Sequence, residues 1–198
     1  MRRPEPVTLE GRHVRLEPLG EQHRADLVAA ATEDPDALRF MMTNIAAHGW
    51  EAWIGEALQG VAAGTYVAWA TIDLASGRAV GSTRFGDIEP DHGRVEIGWT
   101  WIAPSHQRTA INTEAKLLQL RYAFDELGAT RVALKTDGRN LRSQAAIERL
   151  GAIHEGVLRR HTRMPDGFLR DTVYYSILAD EWPEVRARLE KRLSRAQA

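Results

Sequence analysis

Between residues 94 and 136 the hydrophobic period of the chain changes twice, and this constrains the fold more than any other feature. Arg94 to Ala103 alternates, with Val95, Ile97, Trp99 and Trp101 on one side and Glu96, Gly98 and Thr100 on the other, as a strand requires. From Ile111 to Leu127 the spacing becomes helical through Leu117, Leu120, Phe124 and Leu127, and Gly128 is placed to end it. Arg131 to Thr136 alternates again. A strand, a helix and a strand in succession imply a parallel pair joined by a right-handed crossover.

Patterns for antiparallel pairing flank this unit. Upstream come a strand at His13 to Leu19, helices at Arg24 to Thr32 and Trp50 to Val61, and a hairpin of Tyr66 to Ile72 with Ala79 to Ile88. Downstream come a helix at Asn140 to Leu150, a strand pair at Gly156 to Arg163 and Phe168 to Ala179, and an amphipathic tail over residues 183–198. The order predicts an α+β fold: a central, mixed, mostly antiparallel twisted sheet flanked by helices. At 198 residues, with no linker or repeat, one domain spanning 1–198 is expected.

Twenty-six basic residues against twenty-seven acidic leave a net charge of −1, which disfavours a broad grip on nucleic acid or an anionic membrane. The chain has no cysteine, so disulfides, thiolate metal sites and cysteine nucleophiles are excluded. The seven histidines are dispersed without ligand spacing, and no metal is expected. The N-terminus has no apolar stretch behind its arginines, and no apolar run approaches bilayer length. A cytoplasmic protein is the default expectation.

Two segments can carry chemistry. The first runs from Trp99 to Lys116, where a strand ends, a polar loop follows and a long helix starts. Free N–H groups at that helix start, beside Arg108, suit an anion. An ordinary helix start with a solvated arginine is the alternative. The second is Asp137-Gly138-Arg139-Asn140-Leu141-Arg142-Ser143. Asn140 and Ser143 either cap one helix, or Ser143 faces a developing anion.

Together these residues resemble the GNAT acyltransferase superfamily, in its RimJ/RimL-like branch. The resemblance rests on Val95-Glu96-Ile97-Gly98-Trp99, Asn112-Thr113-Glu114-Ala115-Lys116, and Asp137 to Ser143 running on through Arg149-Leu150-Gly151-Ala152. It covers roughly residues 10–182. It implies the GNAT fold, in which a splayed parallel strand pair opens a cleft for acetyl-CoA. It also implies transfer of an acetyl group to a primary amine, on a protein N-terminus or a small molecule. Cofactor contacts are implied at Trp101, Ile102 and Ala103, at Gln107, Arg108, Thr109, Ala110, Ile111, Asn112 and Thr113, and at Asn140 and Ser143. In the phosphate loop the family has glycine where Ala110 stands and glycine or alanine where Asn112 stands.

Glu96 is the implied base, acting through water, and the alternative is a glutamate paired with Arg84 or Arg94 across the sheet. Ser143 is the implied acid toward the thiolate, with Tyr174 and Tyr175 in reserve. Without a cysteine for an acyl-enzyme, direct transfer in a ternary complex is expected. The altered loop leaves a second reading, a non-catalytic GNAT-like protein that binds acyl-CoA. An exposed sheet edge or the C-terminal helix could support a homodimer.

Overall fold

The double change of period lies at the centre of the sheet. In the computed structural model, which describes residues 1–195, β5 (Arg94–Ile102) is followed by α3 (Ala110–Arg121) and β6 (Arg131–Asp137), and β5 and β6 are parallel. The end of the expected tail, residues 196–198, lies outside the described residues. Upstream are β1 (Leu9–Glu10), β2 (Val14–Pro18), α1 (Arg24–Thr32), α2 (Ile45–Ala62), β3 (Val67–Asp73) and β4 (Arg78–Glu89). Downstream are α4 (Leu141–Leu150), β7 (Ile153–Arg163), β8 (Leu169–Leu178) and α5 (Trp182–Arg195). Among the described residues these strands form one sheet in the order β1-β2-β3-β4-β5-β6-β8-β7, in which every neighbouring pair except β5–β6 is antiparallel.

The two faces carry different helices. Helix α2 covers the face of Arg84 and Trp101: Glu56 pairs with Arg84, and Trp53 meets Trp101 edge-on. Helices α3 and α4 cover the other face, where Thr83 donates to Gln119 and Tyr175 to Glu148. Helix α2 starts five residues before the expected Trp50. Asn44 caps this early turn by accepting from the Ala47 N–H. Gly49, at φ 78°, then breaks the helix, so regular spacing begins only at Trp50. The long helix also departs from expectation. After Arg121 it continues through π-type turns over Tyr122–Glu126, with the Leu127 N–H donating to the Tyr122 carbonyl.

The second turn of α3 is tied to the start of the sheet. The buried Glu114 carboxylate accepts from the N–H groups of Arg12, His13 and Val14 at 2.9, 2.6 and 2.8 Å. Three charge-assisted bonds offset the burial of that carboxylate and fasten α3 to the turn between β1 and β2.

Candidate active site

Pairing between β5 and β6 stops at Glu96↔Ala133. Beyond that point the strands diverge, and Glu96 lies at the apex of the opening. The loop before α3 follows one diverging strand and the start of α4 follows the other. A bond chain bridges the two: Arg142 Nη1 donates to Gln107 Oε1 at 2.8 Å, and Gln107 Nε2 donates to the Ile102 carbonyl at 2.9 Å. The two segments singled out in the sequence therefore form opposite walls of one cleft. The Gln107 side chain is a brace between them.

Glu96 is buried, and its partner is neither Arg84 nor Arg94. Lys135, on the adjacent β6, approaches Glu96 Oε2 to 2.6 Å and Asp87 Oδ2 to 3.2 Å. Burial pushes the Glu96 carboxyl up to about 7. Lys135 opposes that shift, and the neighbouring Asp87 carboxylate adds to it. Burial alone would lower Lys135, but Glu96 and Asp87 outweigh it and hold the ammonium above its ordinary value. Arg84 instead bonds Glu56 at 3.1 Å and lies fully buried among the rings of Trp53, Tyr66 and Trp99. Glycine makes the room for the carboxyl: a Cβ on Gly98 would come within 2.7 Å of Glu96 Oε1.

The face assignment along β5 needs correction. Val95 and Ile97 face α3, but the alternation does not continue to Trp99 and Trp101. Ser82 pairs with Trp101 and Arg84 with Gly98, so β5 carries one extra residue, and Trp99 has φ +51°. This bulge turns Trp99 and Trp101 onto the Glu96 face. Trp99 packs on Tyr66 at 4.8 Å and lies over Gly86. Thr100 turns to the other face, where Lys116 Nζ donates to it at 2.6 Å. The side chains of Trp101, Ile102 and Ala103 are all buried, the Ala103 N–H donates to the Val80 carbonyl, and the Ile102 carbonyl accepts from Gln107.

At the start of α3 the left-handed residue is Arg108, at φ +63°. Neither Ala110 nor Asn112 has a positive φ among the described residues, so the absence of glycine there does not strain the turn. Thr109 caps the helix, its hydroxyl accepting from the Ile111 N–H at 3.3 Å. Helix geometry leaves the N–H groups of Ala110 and Asn112 without intrahelical acceptors. Beside them opens a cavity of about 490 Å³, lined by His106, Arg108, Thr109, Ile111, Thr113 and Arg192 among others. Asp73 also lines it, but Arg108, Arg192 and the helix dipole outweigh that single carboxylate, which suits an anion.

On the other wall, Asn140 Oδ1 accepts from the Ser143 N–H at 3.0 Å. The capping is one-way: it uses the Ser143 amide and leaves the half-buried hydroxyl out of the cap. Tyr175 is buried and donates to Glu148 at 3.2 Å. Tyr174 pairs in register with Lys135 on the Glu96 face. Glu33, just after α1, accepts from the Ser105 N–H and hydroxyl, which ties that turn to the loop before α3.

Sequence reasoning missed Lys135 and Asp87. Their proximity to Glu96 depends on register across three strands and on a second bulge, in β4, where Gly86 pairs with Glu96 and Glu89 with Arg94. Asp87 falls in that bulge at φ +44°. No group of His, Asp or Glu among the described residues could hold a metal ion. No helix among them is long and apolar enough to cross a membrane.

Comparison with known proteins agrees with this fold. Residues 13–153 match the family model described as Acetyltransferase (GNAT) domain. YdaF of Bacillus subtilis (strain 168), named provisionally as a ribosomal N-acetyltransferase, is 35% identical over 109 residues. That alignment covers 55% of this chain and 58% of YdaF, so the chain spans little more than half of that relative. The crystal structure of a GCN5-related N-acetyltransferase from Brucella melitensis has 33% identity and a TM-score of 0.87, covering 96% of this chain and 87% of that one. Mycobacterium smegmatis RimJ, solved with a CoA disulfide, shares the fold at 22% identity and a TM-score of 0.82, with 97% of each chain covered. These relatives support the RimJ/RimL-like branch.

Proposed function

The chain belongs to the GNAT acetyltransferase family, and on that premise we propose that it is an N-acetyltransferase. It would move an acetyl group from acetyl-CoA to a primary amine, on a protein N-terminus or a small molecule, by direct transfer in a ternary complex. The observation that carries this reading is the buried Glu96 carboxyl at the apex of the strand opening, pushed up to about 7. An acceptor ammonium has a pKa of about 8 to 10, and a base poised near neutral pH is suited to take its proton through water.

The residues of the other wall fit a polyanionic thioester. The α3 start with Arg108 and Arg192 would hold the phosphates, and Asn140 would order the opposite wall. Backbone at Trp101 to Ala103 would receive the oxyanion. The amine nitrogen forms the new bond to the acetyl carbon, and the carbon–sulfur bond breaks. Ser143, whose hydroxyl is outside the cap, would donate to the departing sulfur and recover a proton from the newly acylated nitrogen, so the second N–H proton ends on the thiol. Glu96 and α3 lie on opposite faces of the sheet, which gives amine and thioester separate approaches to one opening. The half-exposed apolar residues of the edge strand β7, Ile153, Val157 and Leu158, would support a homodimer.

Calorimetry with acetyl-CoA and thiol release across a panel of amines test the reading. Binding together with thiol release that requires an amine is expected. Absence of binding at millimolar acetyl-CoA overturns it. Binding without release from any amine supports instead a GNAT-like protein that only holds acyl-CoA.

A further inference from the structure

Each turnover of the proposed reaction would leave a proton on Glu96. That carboxyl has a relative exposure of 3%, so a more exposed neighbour would speed the return of its proton to bulk water. The sheet beside it offers a graded path. Lys135, at 22% exposure, touches both Glu96 and Asp87, and Asp87 is 65% exposed. The two carboxyls converge on one ammonium, and each influences the ionisation of the other. The backbone is shaped for this contact. Asp87 occupies the extra position of the β4 bulge in a left-handed conformation, and such bulges re-aim a side chain beside a site.

We propose that Asp87 is the proton outlet of the cleft: protonated Glu96 passes its proton to the Asp87 carboxylate, which releases it to water, while Lys135 holds the two carboxyls together. This rests on the acetyl-transfer reading. The steps balance. An acceptor ammonium and the Glu96 carboxylate become a free amine and a carboxylic acid. That acid and the Asp87 carboxylate then exchange the proton, and Asp87 ionises to solvent. No co-reactant other than water is needed.

The surrounding groups are consistent with this direction of flow. Burial raises Asp87, but the neighbouring Glu96 carboxyl and the charges of Lys135 and Arg94 hold it below its ordinary value. A shared proton therefore rests on Glu96 and only passes through Asp87. The other titratable groups facing the pair are Tyr66, which is raised by burial and by the nearby carboxylates, and Tyr174, whose ring lies 5.9 Å from Lys135 Nζ.

Asp87→Asn is the informative variant. Asparagine tolerates the left-handed backbone and keeps an acceptor for Lys135, but it cannot take a proton. In dilute buffer we expect kcat to fall about tenfold, with the KM for acetyl-CoA held within about twofold. A tertiary-amine buffer, which cannot itself be acetylated, should restore most of the lost rate as its concentration rises at fixed pH and ionic strength. The wild type should not respond. A variant as fast as the wild type overturns the outlet, as does a slow variant indifferent to buffer. A wild type that releases no thiol with any amine overturns the acetyl-transfer reading and the outlet with it.

Discussion

Two lysines approach β5 from opposite faces of the sheet, and their surroundings drive them in opposite directions. Lys135 meets two carboxylates and is held above its ordinary value. Lys116, reaching from α3, is wholly buried and meets three neutral acceptors: Thr83 Oγ1 at 2.9 Å, Thr100 Oγ1 at 2.6 Å and Gln119 Oε1 at 2.9 Å. Burial alone lowers it to about 7. Hydrogen bonds satisfy the geometry of an ammonium, but neutral oxygens do not repay the loss of hydration of its charge. The difference separates a face built to handle protons from a face built to fix the backbone. Lys116 joins Thr83 of β4 to Thr100 beside the Trp99 bulge, so it braces the segment whose backbone lines the cleft.

The sharpest way to break this comparison is to remove the base. Glu96→Gln keeps the shape of the side chain and a donor–acceptor pair but cannot accept a proton. A turnover loss of about 100-fold is expected, with acetyl-CoA affinity by calorimetry unchanged. Unaltered turnover would remove Glu96 from its role and reduce the Lys135 face to structure.

Lys135→Met tests the paired face from its other side. With Lys135 gone, burial and Asp87 act on Glu96 unopposed, so its pKa rises above about 7. The ionised base is then available only at higher pH. The acidic limb of the rate profile should move upward, with turnover at neutral pH down about tenfold. A limb that stays in place would show that Lys135 does not set the ionisation of Glu96.

Lys116→Met should act on stability in the opposite sense. The folded-state value, about 7, lies below the unfolded value of 10.5. Below about 7 both states are protonated and the fold carries the full cost of a buried ammonium. Between 7 and 10.5 the unfolded chain binds more protons, so this cost fades as pH rises. The variant should therefore be more stable than the wild type below about pH 7, by roughly 1–3 kcal/mol, and the advantage should shrink toward pH 10. The acceptors left behind partner one another, since Thr83 bonds both Thr100 at 2.7 Å and Gln119 at 3.1 Å. Denaturant melts at two pH values measure the difference. A variant less stable at low pH would refute the cost assigned to this lysine.

The same two faces mark the limit of what the sequence made legible. Local periodicity placed α1, β5, β6 and α4 to within about a residue at most ends, because each alternates or repeats strongly and ends in turn chemistry. It also put both walls of the cleft in order. It misread Trp99 and Trp101, since a bulge leaves apolar and polar residues alternating in sequence while inverting their faces in space. It could not pair Glu96 with Lys135 and Asp87, because that contact depends on register among β4, β5 and β6 and on a second bulge. The early turn of α2 was hidden for a related reason: Gly49 at φ 78° interrupts the helical phase.

The smallest expected effects separate capping from chemistry at the start of α4. Asn140 accepts from the Ser143 N–H, whereas the Ser143 hydroxyl contributes nothing to the cap. Asn140→Ala should cost about 1 kcal/mol of stability, the usual value for a lost N-cap. Ser143→Ala keeps the amide and should change stability by less than about 0.5 kcal/mol. If the hydroxyl serves the departing sulfur, Ser143→Ala slows turnover a few-fold, and the loss shrinks with thioesters of more acidic thiols, which leave without help. Equal losses across such thioesters would assign Ser143 to helix geometry alone and leave the thiolate to the positive field of the α4 start.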